Sequence, residues 1–238
     1  MGSTGGTAKP VGKVSWAAFR GGDWGGWDGT YENLPAPGEG TFVGKMNALV
    51  AATGSADSLD LATSFQWERA ARAGTRSDYF FCETNAVDVG TNTVWAELGY
   101  YANNKYAFEN FKSKTKQSVG SYLPNSWGLY DVYGNANDFC LDYLGPILGE
   151  TIGKDFVVRK QNNPDHPEWN TQRIMSCGYN TSLPSRCSSV VRNFSNETST
   201  NGTYNCFRLA IRTKPVGEVR PHFIQFNAHF QAGTSLMP

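Results

Sequence analysis

Apolar residues recur at helical spacing in two places along this chain. After Thr41, residues Phe42, Val43, Met46, Leu49 and Val50 occupy i, i+1, i+4, i+7 and i+8, the stripe of an amphipathic helix, and Gly54 stands where such a helix stops. Thr63 with Gln66 at its third following position forms a capping box, and Phe65, Trp67, Ala70 and Ala71 then lead to Gly74 as the C-terminal stop. Ser15 to Phe19 is expected to begin a short helix. Between these, the glycine- and proline-rich run from Gly21 to Gly40 reads as an ordered loop. Beyond Gly74 the periodicity fades, and Tyr79–Cys82, Val94–Tyr101, Val119–Tyr122 and Leu129–Tyr133 are expected as short strands. Phe207 to Arg212 alternates apolar with polar or small residues, the pattern of a strand with one buried face.

Composition narrows the class. With 238 residues, 39% hydrophobic and 18% charged, the chain suits one soluble domain with a sizeable core. The 26 glycines, 7 tryptophans and 11 tyrosines favour an irregular, loop-rich fold with aromatic packing. The formal net charge of +0 offers no basic surface for nucleic acid or anionic membrane. No apolar run reaches the roughly 20 residues of a membrane span, and the first residues lack the basic and apolar regions of a signal peptide. The expectation is a soluble chain without membrane insertion, cytoplasmic or on a phage particle, with surface display through a partner. The lysine-rich stretch from Lys105 to Gln117 reads as a solvated face. Cys82, Cys140, Cys177, Cys187 and Cys206 are odd in number and lack Cys-x-x-Cys spacing, so buried or incidental thiols account for them, with a bridge among the last three open only in an oxidising compartment.

Four segments in order carry a family resemblance. Pro10-Val11-Gly12-Lys13-Val14-Ser15-Trp16 comes first, then Leu61-Ala62-Thr63-Ser64-Phe65-Gln66-Trp67-Glu68-Arg69-Ala70-Ala71-Arg72-Ala73-Gly74. Asn125-Ser126-Trp127-Gly128-Leu129-Tyr130-Asp131 runs on to Gly134-Asn135-Ala136-Asn137-Asp138-Phe139, and Cys206-Phe207-Arg208-Leu209 closes the set. Together they resemble the opening, helix, signature and closing motifs of formylglycine-generating-enzyme (sulfatase-modifying-factor) domains, a branch of the C-type lectin fold. The resemblance implies an α+β architecture with two main helices, short irregular antiparallel strands and long ordered loops. It places a flexible lead-in at residues 1–9, the lectin-like domain at 10–214 and a tail at 215–238, whose Phe223, Phe226 and Phe230 point to packing or a partner contact.

Active members of that family oxidise a client cysteine with copper held by two closely spaced cysteines, and related synthases hold iron with three histidines. Neither set carries over. Cys177 stands where the family pattern has glycine and the next cysteine is Cys187, while the chain's histidines are His166, His222 and His229, two of them in the tail. Copper and iron are therefore not expected, and no catalytic residue is assigned. The resemblance does imply a structural calcium site at Asp131, Gly134, Ala136 and Asp138, the middle two through backbone carbonyls. Turn hydrogen bonds are the alternative use of those residues.

Ser176 to Cys206 is rich in Asn, Ser, Thr, Tyr, Gly and Cys and holds no Lys, Gln, Met, Trp, His or Asp. It resembles the variable region of proteins diversified by retroelements, where adenine-directed mutation of asparagine codons yields that palette, and Glu197 would be an undiversified position. Tyrosine gives contact area at low entropic cost, and serine and asparagine adapt their hydrogen bonds, so the palette also suits recognition. An ordinary polar loop is the competing account. The formal glycosylation triplets in this stretch follow from its composition alone. The reading is a non-enzymatic binder of a protein or cell-surface ligand, with Tyr179, Asn180, Phe194, Asn196, Asn201, Tyr204 and Asn205 forming the face. A metal-dependent oxidase and a structural or assembly module are the alternatives.

Overall fold

The computed structural model describes residues 9–24, 33–80, 116–120, 123–145, 158, 164–179, 182, 186–200, 202 and 205–212. Helix α1 spans Trp16–Phe19, with Ser15 capping its amide at Ala18. Helix α2 spans Phe42–Ala52, capped by Thr41. Strand β1, Ser58–Leu61, leads to helix α3, Ser64–Arg72, where Thr63 and Gln66 satisfy each other's backbone amides in the expected capping box. Ala73, at φ 47°, ends α3 in the left-handed conformation one residue before Gly74. On α2 the apolar stripe is only partly used: Val43 is buried, but Phe42 and Leu49 are 41% and 64% exposed.

Strands β2 (Asn137–Tyr143), β3 (Gln172–Ser176), β4 (Asn193–Asn196) and β5 (Asn205–Phe207) form a four-stranded sheet in the order β4-β3-β2-β5. The β2–β5 pairing is parallel and the others are antiparallel. Strand β6, Leu209–Arg212, pairs antiparallel with β1 in a separate two-stranded sheet. The single strand expected over Phe207–Arg212 is thus divided at Arg208, which turns the chain from one sheet to the other. Leu129–Tyr133 is irregular rather than a strand, although Leu129, Val132 and Tyr133 are buried. Of the other strands expected after Gly74, Tyr79 makes an isolated bridge and Val119 lies in a turn. The stretch Val94–Tyr101, most of the lysine-rich segment and the 215–238 tail lie outside the described residues.

All seven residues of β2 are buried, so the strand is covered on both faces. Period-two alternation sends Phe139 and Leu141 into one cluster with Trp16, Phe19, Val43, Leu59, Leu61 and Met175. Cys140 enters the other, with Trp67, Ala70, Tyr133, Ile174, Cys177 and Cys187. Charged groups inside this core are met by ion pairs or by backbone amides. Arg20 and Asp60 form a two-pronged ion pair, with Nε–Oδ1 at 3.0 Å and Nη2–Oδ2 at 2.9 Å. The Asp142 carboxylate accepts the Ser64 amide at 2.6 Å and the Val158 amide at 2.9 Å, which places a negative group at the start of α3. Leu141→Ala, which empties a fully buried site, is expected to cost about 3 kcal/mol in urea denaturation. Leu49→Ala on the exposed face of α2 is expected to stay within about 0.5 kcal/mol of the parent.

Candidate functional site

Two regions held the sequence candidates: the turn before β2 and the segment from Ser176 to Cys206. At the first, Arg208 projects from the junction of β5 and β6 into the oxygens that calcium would need. Its Nε donates to Asp138 Oδ2 at 3.0 Å, Nη1 to the Tyr130 carbonyl at 3.0 Å and Nη2 to the Asp131 carbonyl at 3.3 Å. Trp67 Nε1 donates to the same Asp138 oxygen at 3.0 Å. The Gly134 carbonyl accepts the Cys177 thiol at 2.9 Å and the Ala136 amide at 2.9 Å. Asp131, held at φ 54°, accepts the Gly120 amide through Oδ2 at 2.8 Å and leaves Oδ1 buried with no hydrogen-bond partner.

Calcium takes six to eight oxygens in an open cage. Here Asp131 Oδ1 is open, while the Asp131 and Gly134 carbonyls and Asp138 Oδ2 already accept hydrogen bonds from Arg208, Cys177, the Ala136 amide and Trp67. Of the positions named for calcium, the Asp131 carbonyl and Asp138 Oδ2 thus face a guanidinium, which supplies the positive charge there. Burial disfavours the charged form of Arg208, but the charge and hydrogen bond of Asp138 act with Cys177 and Asp131 against burial, and the net effect raises its pKa.

The thiols fit copper poorly. Cys177 and Cys187 are both buried in one core cluster, and burial pushes both thiols up, away from the thiolate that soft metals bind. Cys177 also spends its hydrogen on backbone carbonyls. His166 lies at the surface, where it contacts Glu168 at 3.1 Å and stacks on Trp169. His222 and His229 lie outside the described residues. Among the described residues no three His, Cys, Asp or Glu side chains gather where they could hold a metal ion.

In the second region, β4 forms one edge of the sheet, and from Phe194 to Thr200 exposure alternates residue by residue. Phe194, Asn196, Thr198 and Thr200 face out, and Phe194 is 53% exposed. Tyr179 is half-buried, its amide bonded to Ser182 Oγ at 3.1 Å and its carbonyl to the Ser182 amide at 2.8 Å. Asn205 does not belong to an exposed face: it is buried at the start of β5 and donates to Ser195 Oγ at 3.2 Å. A neighbouring bond runs from Asn193 Nδ2 to Asn137 Oδ1, so part of the segment's asparagine and serine content is internal wiring. Asn180, Asn201 and Tyr204 lie outside the described residues. Sequence reasoning missed Thr198 and Thr200, whose signal was the strand-like alternation that continues past β4. Phe207 and Leu209, expected as core, are half-buried and pack against the Phe139 cluster from the margin.

The model of the sulfatase-modifying factor enzyme 1-like domain matches residues 3–213. A serine/threonine-protein kinase pkn1 from Chlamydia pneumoniae is 32% identical over 101 residues, 42% of this chain and 15% of the kinase. Among solved structures, PvdO from Pseudomonas aeruginosa superposes with a TM-score of 0.54 at 19% identity, covering 78% of this chain and 66% of PvdO, which shows the shared fold. The variable protein 1 of Treponema denticola gives a TM-score of 0.49 at 20% identity over 66% of this chain and 49% of its own. CarF gives 0.49 at 17% identity over 90% of this chain and 70% of its own. No described helix is long and apolar enough to cross a membrane.

Three measurements follow from the Arg208 cluster. Arg208→Ala leaves Asp138 buried without its charge partner and is expected to cost about 3–5 kcal/mol. The parent is expected to melt at the same temperature in calcium and in chelator, and a clear rise in calcium would contradict the guanidinium assignment. The third concerns Asp131, whose carboxyl is raised above the ordinary 3.8 by burial, a shift that the Gly120 amide and Arg208 oppose and Asp138 reinforces. The folded state therefore holds this proton more tightly than the unfolded state does. The stability the group contributes is full below 3.8 and is lost as pH rises through the folded value. Asp131→Asn, whose side chain suits a positive φ and keeps an acceptor for Gly120, is expected to melt above the parent near neutral pH and to lose that advantage toward about pH 3 in calorimetry.

Proposed function

The chain belongs to the family of sulfatase-modifying factor enzyme 1-like domains, and from that premise we propose that it is a non-enzymatic ligand-binding member, diversified by a retroelement, whose recognition face lies within residues 176–206. The observation that carries this reading is the exposed row Phe194, Asn196, Thr198 and Thr200 on and beyond an edge strand of the sheet. A half-exposed aromatic among short, adaptable polar side chains is the chemistry of a paratope. The row carries no charge, so its partner is a neutral protein or cell-surface epitope held by aromatic contact and hydrogen bonds rather than by ionic steering. Substitution is tolerated there because the side chains stand off a core whose packing they do not complete.

The oxidase alternative would draw on the one core cluster shared by Cys177 and Cys187. Anaerobic Cu(I) loading followed by metal analysis separates the readings: sub-stoichiometric copper is expected, and one tightly held ion lost on Cys177→Ser or Cys187→Ser would favour the oxidase. Diversification has its own test in the flanking DNA. A near-identical repeat of the 3′ part of the gene, differing at adenines and lying beside a reverse-transcriptase gene, is expected. Without it the chain would be an undiversified binder.

A further inference from the structure

Glu197 is the only acidic residue between Ser176 and Cys206, and it is tied down at three points. Its amide donates to the Thr171 carbonyl at 2.8 Å, which extends the β3–β4 ladder by one pair. Its carbonyl accepts the Ala17 amide at 2.8 Å, satisfying one of the free donors at the start of α1. Its carboxylate accepts Arg173 Nε at 3.2 Å.

Arg173 is fully buried, with Nη1 donating to the Leu141 carbonyl of β2 at 2.8 Å. Its guanidinium carbon lies 3.3 Å from the centre of the Tyr143 ring, 3.6 Å from Trp16 and 4.4 Å from Trp24. Such a cage supplies cation–π attraction in place of water. Burial lowers the Arg173 pKa to about 10, while Tyr143 and Glu197 act in the opposite direction. A guanidinium this enclosed needs its carboxylate partner, and that partner sits in the segment whose composition resembles a variable region.

We propose that Glu197, through the caged Arg173, is the positioning residue of the recognition segment, and that it divides the segment into outward readers at Phe194, Asn196, Thr198 and Thr200 and inward anchors at Ser195, Glu197 and Ser199. The proposal rests on the recognition-face reading for the role of the readers, but the tether itself does not. Ser195 supports the division: it lies opposite Arg173 in the ladder and accepts the Asn205 amide. Thr198 closes the turn from the outside, its amide and hydroxyl both donating to Asn196 Oδ1, at 3.0 and 2.8 Å. A ligand would therefore meet side chains from alternate positions on a backbone pinned at Glu197, and exchanging readers would give up at most the Asn196–Thr198 turn bonds while keeping that pin.

The test uses the full chain. Glu197→Gln keeps both backbone bonds and an acceptor oxygen but removes the charge. It is expected to stay folded with amide exchange across 193–199 about tenfold faster and exchange in β2 unchanged. Exchange equal to the parent overturns the tether.

Two displayed libraries provide a second readout that does not depend on one variant folding. One randomises positions 194, 196, 198 and 200, and the other 195, 197 and 199. Most members of the first are expected to resist protease as the parent does, and most of the second to be cut. Equal survival of the two libraries overturns the division. Panning the surviving reader library on immobilised lysozyme and streptavidin is expected to enrich binders. Failure of that arm alone, with the libraries divided as expected, overturns the recognition-face reading and leaves Glu197 as a purely structural tether.

Discussion

A strand buried on both faces that nevertheless carries two aspartates sets the terms for the rest of this fold. Strand β2 cannot expose Asp138 or Asp142 to water, so each must be met by donors from elsewhere in the chain. Asp142 takes the first amide of α3, and Asp138 takes the indole of Trp67 from the same helix and the guanidinium of Arg208 from the β5–β6 junction. Leu141 adds its carbonyl to Arg173. These contacts add little net stability against a well-packed apolar core, but breaking any one leaves a charge or donor stranded. They therefore fix register. Shifting β2 by one residue would send both aspartates to the wrong side and leave three separate elements unsatisfied.

The parts of the fold legible in the sequence are those written in local pattern. The capping box at Thr63 and Gln66, the amphipathic run of α2, and the order of the four family segments each use residues within one or two turns of one another. Strand β2 escaped because Asn137, Asp138 and Asp142 interrupt what would otherwise be an apolar run, and nothing local reveals that their partners are distant. Strand β4, Asn193–Asn196, has no β-branched residue and reads as a loop. The candidate site was legible to the same degree. Phe194 and Asn196 stood out correctly as exposed. Asn205 looked equivalent to them in composition and is buried, because parallel pairing with Asn137 turns it inward. Arg208, which reaches two of the oxygens named for calcium, the Asp131 carbonyl and Asp138 Oδ2, went unnoticed for a related reason: it lies some 70 residues further along the chain, beyond anything local to the motif.

The molecule separates its charges from the face assigned to recognition. Ion pairs such as Arg20 with Asp60 and Arg173 with Glu197 lie in or against the core, where packing fixes their geometry. The outward row from Phe194 to Thr200 carries none. Binding at such a row is expected to respond weakly to ionic strength, whereas folding depends on pairs too deep for salt to screen. Exchanging a side chain of that row therefore leaves the electrostatics of the fold intact.

The parallel pairing of β5 with β2 and the antiparallel pairing of β6 with β1 bear on the order of assembly. Both sheets are completed by residues 205–212, the last described stretch of the chain, and each pairing closes a long loop whose entropic cost comes before any contact rewards it. During synthesis the helices can form early, but β2 waits for one neighbour until Phe207 has emerged and β1 for its own until Arg212 has. The segment proposed for recognition lies inside the loop that β5 closes, so any substitution in it is translated before that pairing can retain it. Selection on such a segment would act first on tolerance of that interval, through solubility and slow aggregation, and only afterwards on what the finished face can bind.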